Sequence, residues 1–163
     1  MPRTMLAIPD VLTLLDETPR RIDALTIVLD PEQARTPPAP DEWSVTGVLA
    51  HLRSCGDVWG GCVTTILAED RPTIRAIDPR TWMERTDYPE LAFRPSFAAY
   101  RRQRAELLST LEALPPDDWL RSATVTGAGA PLQRTLLFYA QWLARHERTH
   151  IRQISRTVTA VTG

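Results

Sequence analysis

The stretch YAQWLARHERTHIRQI, Tyr139 to Ile154, decides the fold class. Tyr139, Leu143, His146, His150 and Ile154 recur at helical spacing and make one seam, while Arg145, Arg148, Arg152 and Arg156 make another. A helix patterned in this way buries its apolar seam against other elements and leaves its charged face, here the Arg face, to solvent. The periodicity extends over residues 132–158, after the breakers Gly127, Gly129 and Pro131.

Three more segments carry the same period. The first covers residues 10–29, with Val11, Leu14, Leu15, Ile22, Leu25 and Leu29 on one face, and Pro19 within it predicts a kink or a break. Pro31 and the run Pro37-Pro38-Ala39-Pro40 then force a non-helical connection. The second segment starts at Ser44, a good N-cap, and reaches residue 68. Gly56, Gly60 and Gly61 inside it weaken the helix, or allow close approach of a neighbouring helix or a ligand. The third spans residues 96–114 and ends at Pro115-Pro116. Between the second and third, residues 69–95 show no sustained period and read as a long loop. Its Trp82 and Tyr88 either roof a pocket or pack the loop onto the helices. Four amphipathic helices and no convincing strand predict an all-α four-helix bundle, with residues 1–163 as a single domain.

Bulk composition narrows the function classes. A net charge of -1 supplies no general attraction for nucleic acid or an anionic membrane, so neither is expected as a partner. No apolar run approaches the roughly 18 residues of a membrane span, and Pro9 and Asp10 interrupt the N-terminus too early for a secretory signal. All 19 basic residues are Arg, which reads as coding bias rather than function. Cys55 and Cys62 lie seven residues apart on one helix, roughly 10 Å along its axis, too far for a disulfide. Free thiols indicate a reducing compartment, and the expected location is cytoplasmic.

The chain has only three histidines, His51, His146 and His150. Positions i and i+4 of a helix share a face, so His146 and His150 can present two imidazoles to one ion. Val48, His51, Cys55, Val58 and Cys62 share a seam on the second helix, from which His51 can meet that pair. Three histidines would leave a coordination position for water or substrate, as catalytic zinc sites do. A lone buried histidine is more often a hydrogen-bonded core residue, but two adjacent inward imidazoles call for a common reason.

Asp41-Glu42-Trp43-Ser44-Val45, followed by Val48-Leu49-Ala50-His51-Leu52, resembles the signature of the DinB/YfiT-like superfamily. So does His146-Glu147-Arg148-Thr149-His150-Ile151-Arg152-Gln153-Ile154, with weaker likeness at Thr18-Pro19 and Pro115-Pro116-Asp117-Asp118-Trp119. The resemblance covers nearly the whole chain. It implies a four-helix bundle in which the three matching histidines hold one divalent ion, commonly zinc or nickel, with Gln153 supporting rather than ligating. It also implies a metal-dependent hydrolase or a thiol S-transferase using bacillithiol or mycothiol, and in several members a homodimer.

The same five residues satisfy the H-E-x-x-H pattern of zinc peptidases, whose glutamate is a general base. Only thirteen residues follow His150, too few for the downstream glutamate ligand, and no further histidine completes the longer pattern. Glu147 nevertheless stands as a candidate catalytic residue, the alternative being a surface pairing with an Arg. Cys55, one turn after His51, either reaches the ion or packs the core. Arg53 or Arg80 could receive a carboxylate-bearing thiol cofactor. The expectation is a metal-dependent enzyme acting on a small molecule; its rival is a non-catalytic metal-binding or interaction module of the same fold.

Overall fold

The computed structural model describes residues 5–163. Its helices in chain order are α1 (Ile8–Thr26), α2 (Pro31–Arg35), α3 (Val45–Ala68), α4 (Pro79–Met83), α5 (Phe93–Glu112) and α6 (Leu136–Thr162). The long ones, α1, α3, α5 and α6, make a four-helix bundle, as their apolar stripes require.

Local chemistry sets several boundaries. Ser44 caps α3 by accepting from the Gly47 amide at 3.1 Å. Asp30 and Gln33 form a reciprocal capping box that starts α2. Of the kink or break expected at Pro19, the break does not occur, because α1 runs through from Ile8 to Thr26. Val11, Leu15 and Ile22 are all fully buried, and that packing on both sides of Pro19 outweighs its missing amide. Gly56 serves the close approach expected of it: a Cβ there would lie 2.3 Å from Gln103 Oε1 of α5. Gly60 and Gly61 do not, since nothing lies within 4 Å of a Cβ at either.

The absence of strands is also corrected. A three-stranded sheet comprises β1 (Thr73–Arg75), β2 (Ser122–Thr126) and β3 (Leu132–Thr135), with β2 in the middle. β1 pairs with β2 in parallel and β2 with β3 antiparallel. Gly127 and Gly129, both at positive φ, turn the chain between β2 and β3. Residues 132–135 therefore precede the last helix, which begins at Leu136 with Thr135 as its N-cap. Strands of three to five residues are too short to show a period of two. Residues 69–95 likewise hold β1, α4 and a 3-10 turn at Tyr88–Glu90 rather than one structureless loop.

Two apolar clusters fill the bundle. One gathers Cys55, Val63 and Ile66 of α3 with Leu136, Leu143 and Ala144 of α6. The other gathers Val48, Leu49 and Leu52 with Ile151, Ile154 and Val158. On α6 the break between them falls on His146–His150, so the polar groups of that stretch form a layer between two apolar halves. Among the described residues no helix is long and apolar enough to cross a membrane.

Candidate metal centre

The layer brings all three histidines together. His51 reaches in from α3, and His146 and His150 from successive turns of α6. His51 Nε2 lies 2.9 Å from His146 Nε2, which lies 2.9 Å from His150 Nε2. His51 is only 4% exposed, and the other two are half-buried. Aromatic rings wall the group: Trp43 packs 5.0 Å from His51, and Trp59 stands perpendicular to His146 at 5.0 Å.

Counting protons shows what this arrangement lacks. His150 Nδ1 donates to Gln153 Oε1 at 2.7 Å, so a neutral His150 directs the bare lone pair of Nε2 at His146. His146 Nε2 has at most one proton for its two short contacts. His146 Nε2 cannot serve both contacts as donor and acceptor at once, so at least one pair of nitrogens meets without a hydrogen bond, an arrangement that a shared cation satisfies. His51 Nδ1 is buried and has no partner among the described residues. Burial foremost, then neighbouring His150, His146 and Arg80, lowers the His51 pKa to about 3. Burial, His150 and Arg80 lower His146 to about 4, and burial also lowers His150 despite its bond to Gln153. Neutral imidazoles are the form that binds metal. Three neutral nitrogen donors converging on one point, one of them oriented from behind by an amide, fit a divalent ion.

Cys55 stands beside this group. Its Sγ is 3.5 Å from His51 Nε2, and Cys55, His51 and His146 offer donor atoms within 4.8 Å of one another. Burial raises its thiol pKa well above the usual range. Cys55 and Cys62 are both free and buried, as their spacing requires.

Glu147 does not lie on the surface. It is fully buried, and its Oε1 accepts from Arg104 Nη2 and, at 3.1 Å, from Tyr100 Oη. Burial pushes the Glu147 carboxyl up, while Arg104 and Tyr100 pull it down. Arg104 remains charged, because a guanidinium does not deprotonate in proteins. Sequence reading missed Arg104 and the network it anchors. The signal was its place in register with Phe97, Tyr100 and Leu111, a buried stripe where an Arg needs an internal anion.

The remaining candidates divide. Arg80 lies near all three histidines, lowering each one's pKa, and its guanidinium is 5.5 Å from the Trp43 ring. Arg53 instead stacks on Tyr88 at 3.8 Å and donates to Ser96. Trp82 and Tyr88 pin their segment to the bundle by donating to Asp57 Oδ2 at 3.0 and 2.7 Å, while Gln103 donates to Oδ1 at 2.6 Å. On the outer side of α6, a cavity of about 630 Å³ is lined by His146, Trp142, Arg145, Arg148, Arg152 and Leu6. The Arg face is thus not only a solvated surface, since part of it borders a candidate ligand.

Residues 14–154 match the DinB superfamily. The chain belongs to the DinB superfamily. Among solved structures it is similar to YfiT from Bacillus subtilis, described as a probable metal-dependent hydrolase with an unusual four-helix bundle topology. That likeness has a TM-score of 0.75 at 23% identity, over 96% of this chain and 91% of the other. The four-helix bundle protein TT2238 is similar with a TM-score of 0.64 at 18% identity, over 92% and 99%. At these identities both likenesses speak to the fold, and they agree with the bundle described above. Comparison with curated proteins gives no match.

Proposed function

We propose that this chain is a metal-dependent enzyme of the cytoplasm in which His51, His146 and His150 hold one divalent ion, zinc or nickel. The observation that carries the reading is the convergence of three Nε2 atoms whose two short contacts cannot both be hydrogen bonds. When bound, such an ion supplies Lewis-acid chemistry that activates water or a thiol as a nucleophile near neutral pH. Gln153 fixes the ring of His150, while Trp43 and Trp59 limit the movement of His51 and His146. Arg80, with Arg148 and Arg152 at the cavity beside His146, favours a small substrate bearing negative charge. Through Oε1, shared by Arg104 and Tyr100, Glu147 holds α5 against α6, while its buried Oε2, which has no partner among the described residues, keeps it a candidate for moving a proton.

Hydrolysis is the first reading, supported by the description of YfiT as a probable metal-dependent hydrolase. Transfer to a low-molecular-weight thiol is the second, favoured by the Arg-lined cavity, which suits a thiol carrying carboxylates. Metal analysis of protein expressed in replete medium is expected to give one ion per chain, lost on replacing both His146 and His150 with Ala. Metal well below one per chain, or retention unaffected by that double substitution, overturns the site. Metal-loaded and chelated protein would then be compared on a panel of anionic esters and amides. A parallel assay would pair bacillithiol or mycothiol with a bimane electrophile. Metal-dependent turnover in one arm selects the reaction; turnover in neither favours a non-catalytic module.

A further inference from the structure

The metal centre has a second i, i+4 pair. His146 and His150 are separated by one turn of α6, and His51 and Cys55 by one turn of the facing α3. Cys55 is fully buried, and the hydrogen-bond contact of its thiol among the described residues is with His51 Nε2. A tetrahedral ion with bonds of about 2.3 Å to sulfur and about 2.0–2.1 Å to nitrogen has a sulfur–nitrogen edge of roughly 3.5 Å. The separation of Cys55 Sγ from His51 Nε2 is 3.5 Å. The His51–His146 and His146–His150 contacts, 2.9 Å each, need open by only a few tenths of an ångström toward the roughly 3.4 Å edge of the same figure; Cys55 groups with His51 and His146 within 4.8 Å, and His150 joins them through His146.

We infer that Cys55 is a fourth ligand, so that two pairs of donors on facing helices, His51 with Cys55 and His146 with His150, enclose the ion. The inference rests on the three-histidine reading above and goes beyond it. As the sulfur–metal bond forms, the thiol proton passes to solvent, with no change of oxidation state. Three nitrogens and one sulfur fill a four-coordinate site, the closed condition of structural zinc centres rather than the open one of catalytic centres. Substrate would then reach a bound ion only as a further ligand or in place of the Cys55 sulfur. The resting site is therefore closed by the chain's own side chain.

Cobalt(II) substitution tests this, because a thiolate ligand adds an intense near-ultraviolet charge-transfer band that nitrogen and oxygen ligands do not give. Metal-free wild-type protein titrated with Co²⁺ is expected to show that band together with the visible bands of a four-coordinate ion, saturating at one equivalent. Cys55→Ser and Cys55→Ala are expected to lose the charge-transfer band while still binding cobalt through the histidines. Cys62→Ala, at the chain's other thiol, is expected to keep it. Folding of each variant is checked by circular dichroism. Visible bands without charge transfer in the wild type, or a band that survives Cys55→Ala, overturn Cys55 as a ligand and leave the triad standing. Failure of the wild type to bind cobalt overturns both.

Discussion

Gln153 Oε1 takes the Nδ1 proton of His150 at 2.7 Å, and that one bond determines which nitrogen faces His146. Groups behind a ligating histidine typically contribute 10–100-fold to metal affinity. Gln153→Leu is therefore expected to weaken metal binding by about that factor while the metal-free protein melts nearly unchanged; competition against a chelating dye measures it, and unchanged affinity would refute the orienting role. Arg104 poses a different problem, because it is a buried cation whose described anionic contact is Glu147. Removing one member of a buried ion pair strands the other and costs about 3–5 kcal/mol, whereas replacing both with apolar groups is often neutral. Arg104→Leu should show that loss in urea unfolding, and Arg104→Leu with Glu147→Leu should recover most of it.

At the scale of elements, α3 is the platform of the site. It carries His51 and Cys55 inward and, two residues on, Asp57, whose carboxylate receives Trp82, Tyr88 and Gln103. Hydrogen bonds to a charged acceptor contribute about 1.5–3 kcal/mol each when buried, and less at this half-buried position. Asp57→Ala is expected to loosen residues 79–91 first, seen as faster amide exchange and earlier proteolytic cutting there. Metal should remain bound, because the hydrogen bonds of the Asp57 carboxylate go to Trp82, Tyr88 and Gln103 and to none of the three histidines. If the exposed segment exchanged no faster, its anchoring would have to lie elsewhere. Gly56 belongs to the same device, since its missing Cβ leaves room for the Gln103 side chain that reaches Asp57.

For the molecule as a whole, a ligand that binds only the folded chain stabilises it by mass action. At a hundredfold excess over its Kd, a divalent ion adds about 2.7 kcal/mol. For a chain of this size that raises the Tm by roughly 5–10 °C, and a chelator should reverse the shift. Acid should act oppositely on the metal-free protein. His51 and His146 have folded pKa values of about 3 and 4, below the ordinary value of 6.5, so the unfolded chain binds more protons between these limits. Their contribution is complete above about pH 6.5 and is lost as pH falls through 4, for His146, and on toward 3, for His51. Melting of the metal-free protein across pH 4–8 checks the sign; a Tm that rose on acidification would contradict neutral buried histidines.

Much of this was legible in the sequence because it is local. Helical phase placed His146 and His150 on one seam and His51 on the inward side of its own helix, and the bundle followed from four stripes of period 3.6. A period needs length to be seen, which is why the strands at residues 73–75, 122–126 and 132–135 escaped notice while helices of 19 to 27 residues did not. Packing alone decided the rest. That α1 continues through Pro19, that Glu147 turns into the core to meet Arg104, and that His51 Nε2 stands 2.9 Å from His146 Nε2 all depend on which helix faces which. Sequence spacing fixes the face of a helix on which a side chain lies. What that face meets across the bundle is settled only when residues far apart in the chain compete for the same buried space.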